Sequence, residues 1–161
     1  MSVTQATNDL ALQQLIEEIG IAFSLAGGPP MTGRVLAYLL VCDPAEQTAA
    51  ELAEALQASR GSISTTSRQL LQAGLIEKVP RPGRRAVGYR LRDDAWENIM
   101  RSREMHFRLI RERAERGLDL LQGAAPERRA RLQRFVDFYR FFEQAFPRLT
   151  QEFLDSLEEA S

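Results

Sequence analysis

A chain of 161 residues with 44% hydrophobic content is long enough for one domain or a small module with an extension, and too apolar to be wholly disordered. Its longest apolar run, Val35 to Cys42, falls well short of the roughly 20 residues that span a membrane. The start Met1-Ser2-Val3-Thr4-Gln5 carries neither a basic nor an apolar signal segment, so a cytoplasmic protein with a short disordered lead is expected.

The apolar positions Leu12, Leu15, Ile16, Ile19 and Phe23 recur at steps of three and four, which predicts an amphipathic helix from Leu10 to Ala26. Gly27-Gly28-Pro29-Pro30 ends it in a rigid corner. Gly33 to Cys42 is apolar nearly all round and reads as a short buried helix, closed by Asp43-Pro44. Thr48-Ala49-Ala50-Glu51 has capping-box spacing: the Thr48 hydroxyl can accept from the Glu51 amide while the Glu51 carboxylate reaches back. The helix it opens buries Leu52, Ala55 and Leu56. A tight turn at Gln57-Ala58 leads to Ser59, a second N-cap, and to a helix from Arg60 to Ala73 with Ile63, Ser67, Leu70 and Leu71 inward. Gly74 stands where a left-handed residue ends a helix.

Beyond Gly74 the pattern changes. Residues 75–79 and 87–91 read as two short strands joined by Pro80-Arg81-Pro82-Gly83-Arg84-Arg85-Ala86. From about Asp94 the chain returns to helix, with Met100, Arg103, Phe107, Ile110, Ala114, Gly117 and Leu121 forming a coiled-coil-like seam broken once by Arg103. Arg103 is expected to snorkel or to pair with an acid such as Glu18 or Glu104. Gly123 to Pro126 breaks the helix. A second helix carries Leu132, Phe135, Val136, Tyr139 and Phe142, and Pro147 suits the first turn of a last helix with Leu149, Phe153 and Leu157.

Two helices followed by a hairpin with an arginine-rich tip make a winged helix-turn-helix. The net charge of −1 points to no partner, but its distribution does. Residues 1–58 hold one base, Arg34, against seven acids; residues 59–92 hold eight bases against Glu77 alone; residues 93–161 hold twelve bases against fourteen acids. All surplus positive charge therefore sits in one window, the field that draws a phosphate backbone. Turning Ile63, Ser67 and Leu70 inward points Gly61, Ser62, Thr65, Arg68, Gln69 and Gln72 outward. Such a face can enter a major groove, because Arg pairs with guanine, Gln with adenine, and hydroxyls with bases or phosphates. Gly61 would let the helix start approach a phosphate. The plainer reading, an ordinary solvated face, is weakened by the absence of any acid on it. Ser62, Thr65, Arg68 and Gln69 are assigned to base edges, and Ser59, Arg60, Arg84 and Arg85 to phosphates or the minor groove. Arg81 shares the wing tip, whose plainer reading is a turn kept charged for solubility.

The segments Gly33-Arg34-Val35-Leu36-Ala37-Tyr38-Leu39-Leu40, Ser59-Arg60-Gly61-Ser62-Ile63-Ser64 and Val79-Pro80-Arg81-Pro82-Gly83-Arg84-Arg85 resemble MarR-type winged-helix regulators, and most of all their GbsR branch. The resemblance covers the middle third of the chain. It implies a homodimer, usually a repressor, on a near-palindromic site; members of that branch are associated with choline and glycine-betaine control. The expected architecture is mostly α with a small β-hairpin wing. Residues 1–28 form a helix contributing to dimerisation, residues 29–92 the winged helix-turn-helix, and residues 93–161 a helical dimerisation region. Double-stranded DNA, a second copy and a small-molecule effector are the expected partners. No cofactor and no membrane are expected. The seam from Met100 to Leu121 could close the dimer or an intramolecular bundle.

Phe23, Trp96, Phe107 and Tyr139, with the aromatics of residues 135–146, could cage a cationic effector, although rings at helical spacing more often form core. Cys42 could act as a peroxide sensor, but its apolar neighbours favour an inert thiol. One Cys and one His, His106, make no metal-ligand cluster of the usual kind, leaving only an all-carboxylate site open. No phosphate loop or activated nucleophile appears, so an enzyme is not expected. The alternative is a winged-helix protein-interaction module without specific DNA binding.

Overall fold

The computed structural model describes residues 3–80 and 86–159. It is mostly helical, in the order α1 (Val3–Leu25), α2 (Pro30–Val41), β1 (Gln47–Thr48), α3 (Ala49–Ala55), α4 (Arg60–Gln72), β2 (Ile76–Val79), β3 (Gly88–Leu91), α5 (Ala95–Leu120) and α6 (Pro126–Glu159). The chain divides into two compact units, residues 1–95 and 96–161. No helix among the described residues is long and apolar enough to cross a membrane.

In the first unit α1 begins at Val3, so the expected lead is helical; nothing between Val3 and Asp9 is a helix breaker. Its buried stripe contains Ile16 and Gly20, while Leu15, expected inside, faces solvent. The helix crosses α2 closely because Gly20 and Gly33 each meet the opposite helix. A Cβ on Gly33 would lie 2.9 Å from the Ile19 carbonyl oxygen and 2.8 Å from Cγ of Phe23. Pro30 opens α2 at its first turn, where a missing amide costs nothing. Val35, Leu36, Ala37 and Leu39 of α2 are buried, as are Leu52, Leu56, Ile63 and Leu70 of the following helices, and α2 packs against α4. Each large side chain so buried contributes about 1.5–3 kcal/mol.

Both expected N-caps form. Thr48 accepts from the Glu51 amide at 3.2 Å while its own amide donates to Glu51 at 2.6 Å. Ser59 Oγ accepts from the Ser62 amide at 3.1 Å. Gly74 closes α4 with a φ of +69°, a conformation open to glycine at little cost. The hairpin is joined by a third strand that the sequence reading lacked. β1 pairs with β3, placing Gln47 opposite Tyr89 and Thr48 opposite Gly88, and gives the sheet order β1-β3-β2.

In the second unit α5 and α6 run back along each other. Ala114, Leu118 and Val136 form the buried cluster with Leu132 against it, so this part of the seam closes within one chain. Arg103 is exposed. Its neighbour Glu104 faces α6 instead, accepting from the Thr150 hydroxyl at 2.7 Å. Arg111 bridges the helices to Glu143, and Arg140 reaches Glu115 at 2.7 Å. Pro147 does not open a new helix: α6 runs unbroken through it to Glu159. An interior proline costs about 3 kcal/mol in a free helix. Here Phe142 and Phe146, whose rings lie 5.3 and 5.1 Å from that of Phe107, and Thr150 hold both sides of the proline against α5.

Candidate nucleic-acid interface

The spacing of Ile63, Ser67 and Leu70 seats α4 on the first unit's core and fixes its opposite face. Ser59, Arg60, Gly61, Thr65, Arg68, Gln69 and Gln72 are all exposed and Ser62 is half-buried. Thr66 is buried beside Ser67, whose hydroxyl has no hydrogen-bond partner among the described residues. Ser64 also lies on this face, exposed one turn before Arg68, a position the helical wheel alone marks as outward.

Of the five described bases in the window, two are engaged within the chain. Arg90 lies directly across the hairpin from Glu77 and donates to it through Nε at 2.9 Å and Nη2 at 2.6 Å. Arg92 forks onto Asp94 at 2.7 and 2.9 Å. These hydrogen bonds, chiefly, hold both guanidiniums above their ordinary basicity. Arg60, Arg68 and Lys78 have no ion pair among the described residues, so the unpaired charge lies on α4 and β2. Arg81, Arg84 and Arg85 lie outside the described residues.

The start of α4 has a second feature that bears on an anion. A Cβ on Gly61 would meet nothing nearer than Ser59 Oγ at 3.9 Å. The chain's own packing therefore does not require glycine there. A bare helix start beside Arg60, with the dipole's positive end facing out, suits a phosphate group.

Phe107 meets Tyr139 and Phe142 in tilted contacts at 6.2 and 5.3 Å and Phe146 edge-on at 5.1 Å, so these half-buried rings fill one another's space. Trp96 instead lines an open apolar groove of about 460 Å³ with Ile99, Met100, Phe153 and Leu157. Phe23 belongs to the first unit, where it packs over Gly33. Burial pushes the Cys42 thiol up, against its own backbone hydrogen bond, and Asp43 adds to the rise. A thiol so protonated is a poor peroxide target. His106 is exposed beside Phe107.

A helix-turn-helix with a three-stranded wing root, exposing an acid-free cationic helix, defines a winged-helix DNA-binding protein. The MarR family model matches residues 33–87, and a model described as MmpR5-like MarR family transcriptional regulator matches residues 94–156. The HTH-type transcriptional regulator MmpR5 of Mycobacterium tuberculosis (strain ATCC 25618 / H37Rv) is 35% identical over 147 residues, 89% of each chain. A crystal structure of a transcriptional regulator superposes with a TM-score of 0.79 at 34% identity, covering 90% of this chain and 99% of that one. MepR, a transcription regulator of the Staphylococcus aureus multidrug efflux pump MepA, is far looser: 14% identity and a TM-score of 0.42 over 85% of this chain and 95% of its own. The chain belongs to the MarR family of transcriptional regulators, and is a DNA-binding regulator.

Proposed function

We propose that this regulator binds a near-palindromic operator as a homodimer, represses from it, and is released by a small-molecule effector in the cytoplasm. Ser62, Thr65, Arg68 and Gln69 read base edges, joined by Ser64. Ser59, Arg60, Arg84 and Arg85 hold phosphates or the minor groove, with Arg81 beside them. One observation carries the reading: the outward face of α4 holds no acid, its guanidiniums are unpaired among the described residues, and its Gly61 serves no packing need of the chain.

The dimer is supported by apolar side chains left uncovered in a single chain. Leu10, Ile21 and Leu25 on α1, and Phe138 and Phe141 on α6, are all more than half exposed. Two recognition helices one helical turn apart also need two copies. In this division of labour residues 29–92 bind DNA, and residues 1–28 and 93–161 join the copies. For the effector, the groove beside Trp96 falls within the about 300–1,000 Å³ usual for small-molecule sites. The finer likeness to the GbsR branch stands on the three segments quoted above; the C-terminal helices match the MmpR5-like model.

The test is fluorescence anisotropy with a duplex enriched from a random pool by the wild-type protein, against a scrambled duplex. Arg68→Ala should weaken binding to the enriched duplex by about 1–3 kcal/mol and barely change the scrambled one. Arg85→Ala should weaken both and lower the salt slope by about one. Equal loss on both duplexes from Arg68→Ala would move Arg68 from bases to phosphates. Failure of the wild type to prefer any duplex would favour the protein-docking alternative.

A further inference from the structure

The first 58 residues contain a single base, and the structure gives it an unusual set of partners. Arg34, on α2, donates through Nε to Glu17 Oε1 of α1 at 2.9 Å, and Nη2 reaches the same carboxylate oxygen. The same Nη2 donates to the carbonyl of Leu56 at 2.7 Å. Leu56 is the C-cap of α3, the last residue before the turn into α4. The next residue, Gln57, adopts a φ of +48°, and Ser59 two residues on is the N-cap of α4. Leu56 O is thus a helix-terminal acceptor at the hinge from which the recognition helix departs, and a guanidinium there also suits the negative end of α3.

Two further observations mark the arrangement as built. The Arg34 side chain is only 20% exposed while Glu17 is 56% exposed, so the arginine runs beneath α1 and the acid comes down to meet it. The passage is kept open by Gly20: a Cβ there would lie 2.6 Å from Cγ of Arg34 and 3.2 Å from the Pro30 carbonyl oxygen.

We propose that Arg34 is a positioning residue for DNA reading: it ties the α3–α4 turn to α1 and so sets the angle at which α4 meets the groove. The proposal rests on α4 being the recognition helix. It makes no contact with DNA itself. Its effect falls on sequence discrimination rather than on general affinity, because hydrogen bonds to base edges depend on angle far more than phosphate attraction does.

The experiment uses the full-length protein with the enriched and scrambled duplexes. Arg34→Met keeps the apolar stem and removes both donors. It should lower affinity for the enriched duplex about tenfold, leave the scrambled duplex and the salt slope unchanged, and speed amide exchange over residues 57–63. Gly20→Ala should act in the same direction by displacing the stem. The swap Glu17→Arg with Arg34→Glu separates the proposal from a plain α1–α2 ion pair. It restores opposite charges but offers Leu56 O no donor from position 34, so discrimination should stay impaired. Recovery in the swap, or equal loss on both duplexes in Arg34→Met, would overturn the proposal. Absence of any preferred duplex for the wild type would instead remove the reading of α4.

Discussion

Thr48 joins the two halves of the DNA-binding module, and its replacement isolates what each atom contributes. Its backbone pairs with Gly88 in the sheet, its hydroxyl caps α3 through Glu51, and its side chain is buried at 7% exposure. Thr48→Val keeps the shape and removes the acceptor, so it should cost about 1 kcal/mol, the usual value of a cap. Thr48→Ser keeps the oxygen and removes one buried methyl, costing about 0.8 kcal/mol. Thr48→Ala loses both, and the two losses should sum to about 2 kcal/mol. Urea unfolding followed by circular dichroism gives the three values. Amide exchange then locates them: the Val variant should loosen the first turn of α3 together with the β1–β3 pairing. A Val variant as stable as the wild type, beside a destabilised Ser variant, would mean that the hydroxyl contributes nothing and that the cap does not hold α3.

Gly33→Ala forces a Cβ to within 2.9 Å of the Ile19 carbonyl oxygen, and backbone cannot swing away as a side chain can. Overpacking of about 1–3 kcal/mol is expected, read as a lower denaturation midpoint. In the second unit the hydrogen bond from Arg111 holds the Glu143 carboxyl below the usual carboxylate range. A carboxyl depressed in the folded state adds stability above its unfolded value, near about 4.3, and loses it as pH falls through the folded value. Unfolding followed from pH 7 to pH 3 should therefore show Glu143→Gln as less stable than wild type at neutral pH, with the gap closing in acid. A constant gap would rule out the ionised pair as the cause.

The features set by near neighbours in sequence were legible. Both N-caps, the left-handed end of α4 at Gly74 and its exposed face follow from spacings within four residues, and each is present in the structure. Strand β1 escaped notice because two residues have no alternation to read; its partner lies some forty positions along the chain. The continuity of α6 was hidden for a related reason. The proline rule describes a helix alone, whereas Pro147 is carried by ring and hydroxyl contacts with α5. Counting charge likewise overstated the free bases. The Arg92–Asp94 pair was within reach of a local reading, but Arg90 meets Glu77 only once the hairpin register is known. Arg34 illustrates the same limit: a lone base in an acidic stretch was visible, but not that Leu56 would be its second partner.

The central claim, that a pair of these chains reads one DNA sequence through α4, is tested most directly by selecting bound duplexes from a random pool at physiological salt and weighing the complex. The expected product is an enriched site with two inverted halves about one helical turn apart, occupied by two chains. A pool left unenriched after repeated rounds, with the protein intact and folded, would contradict it.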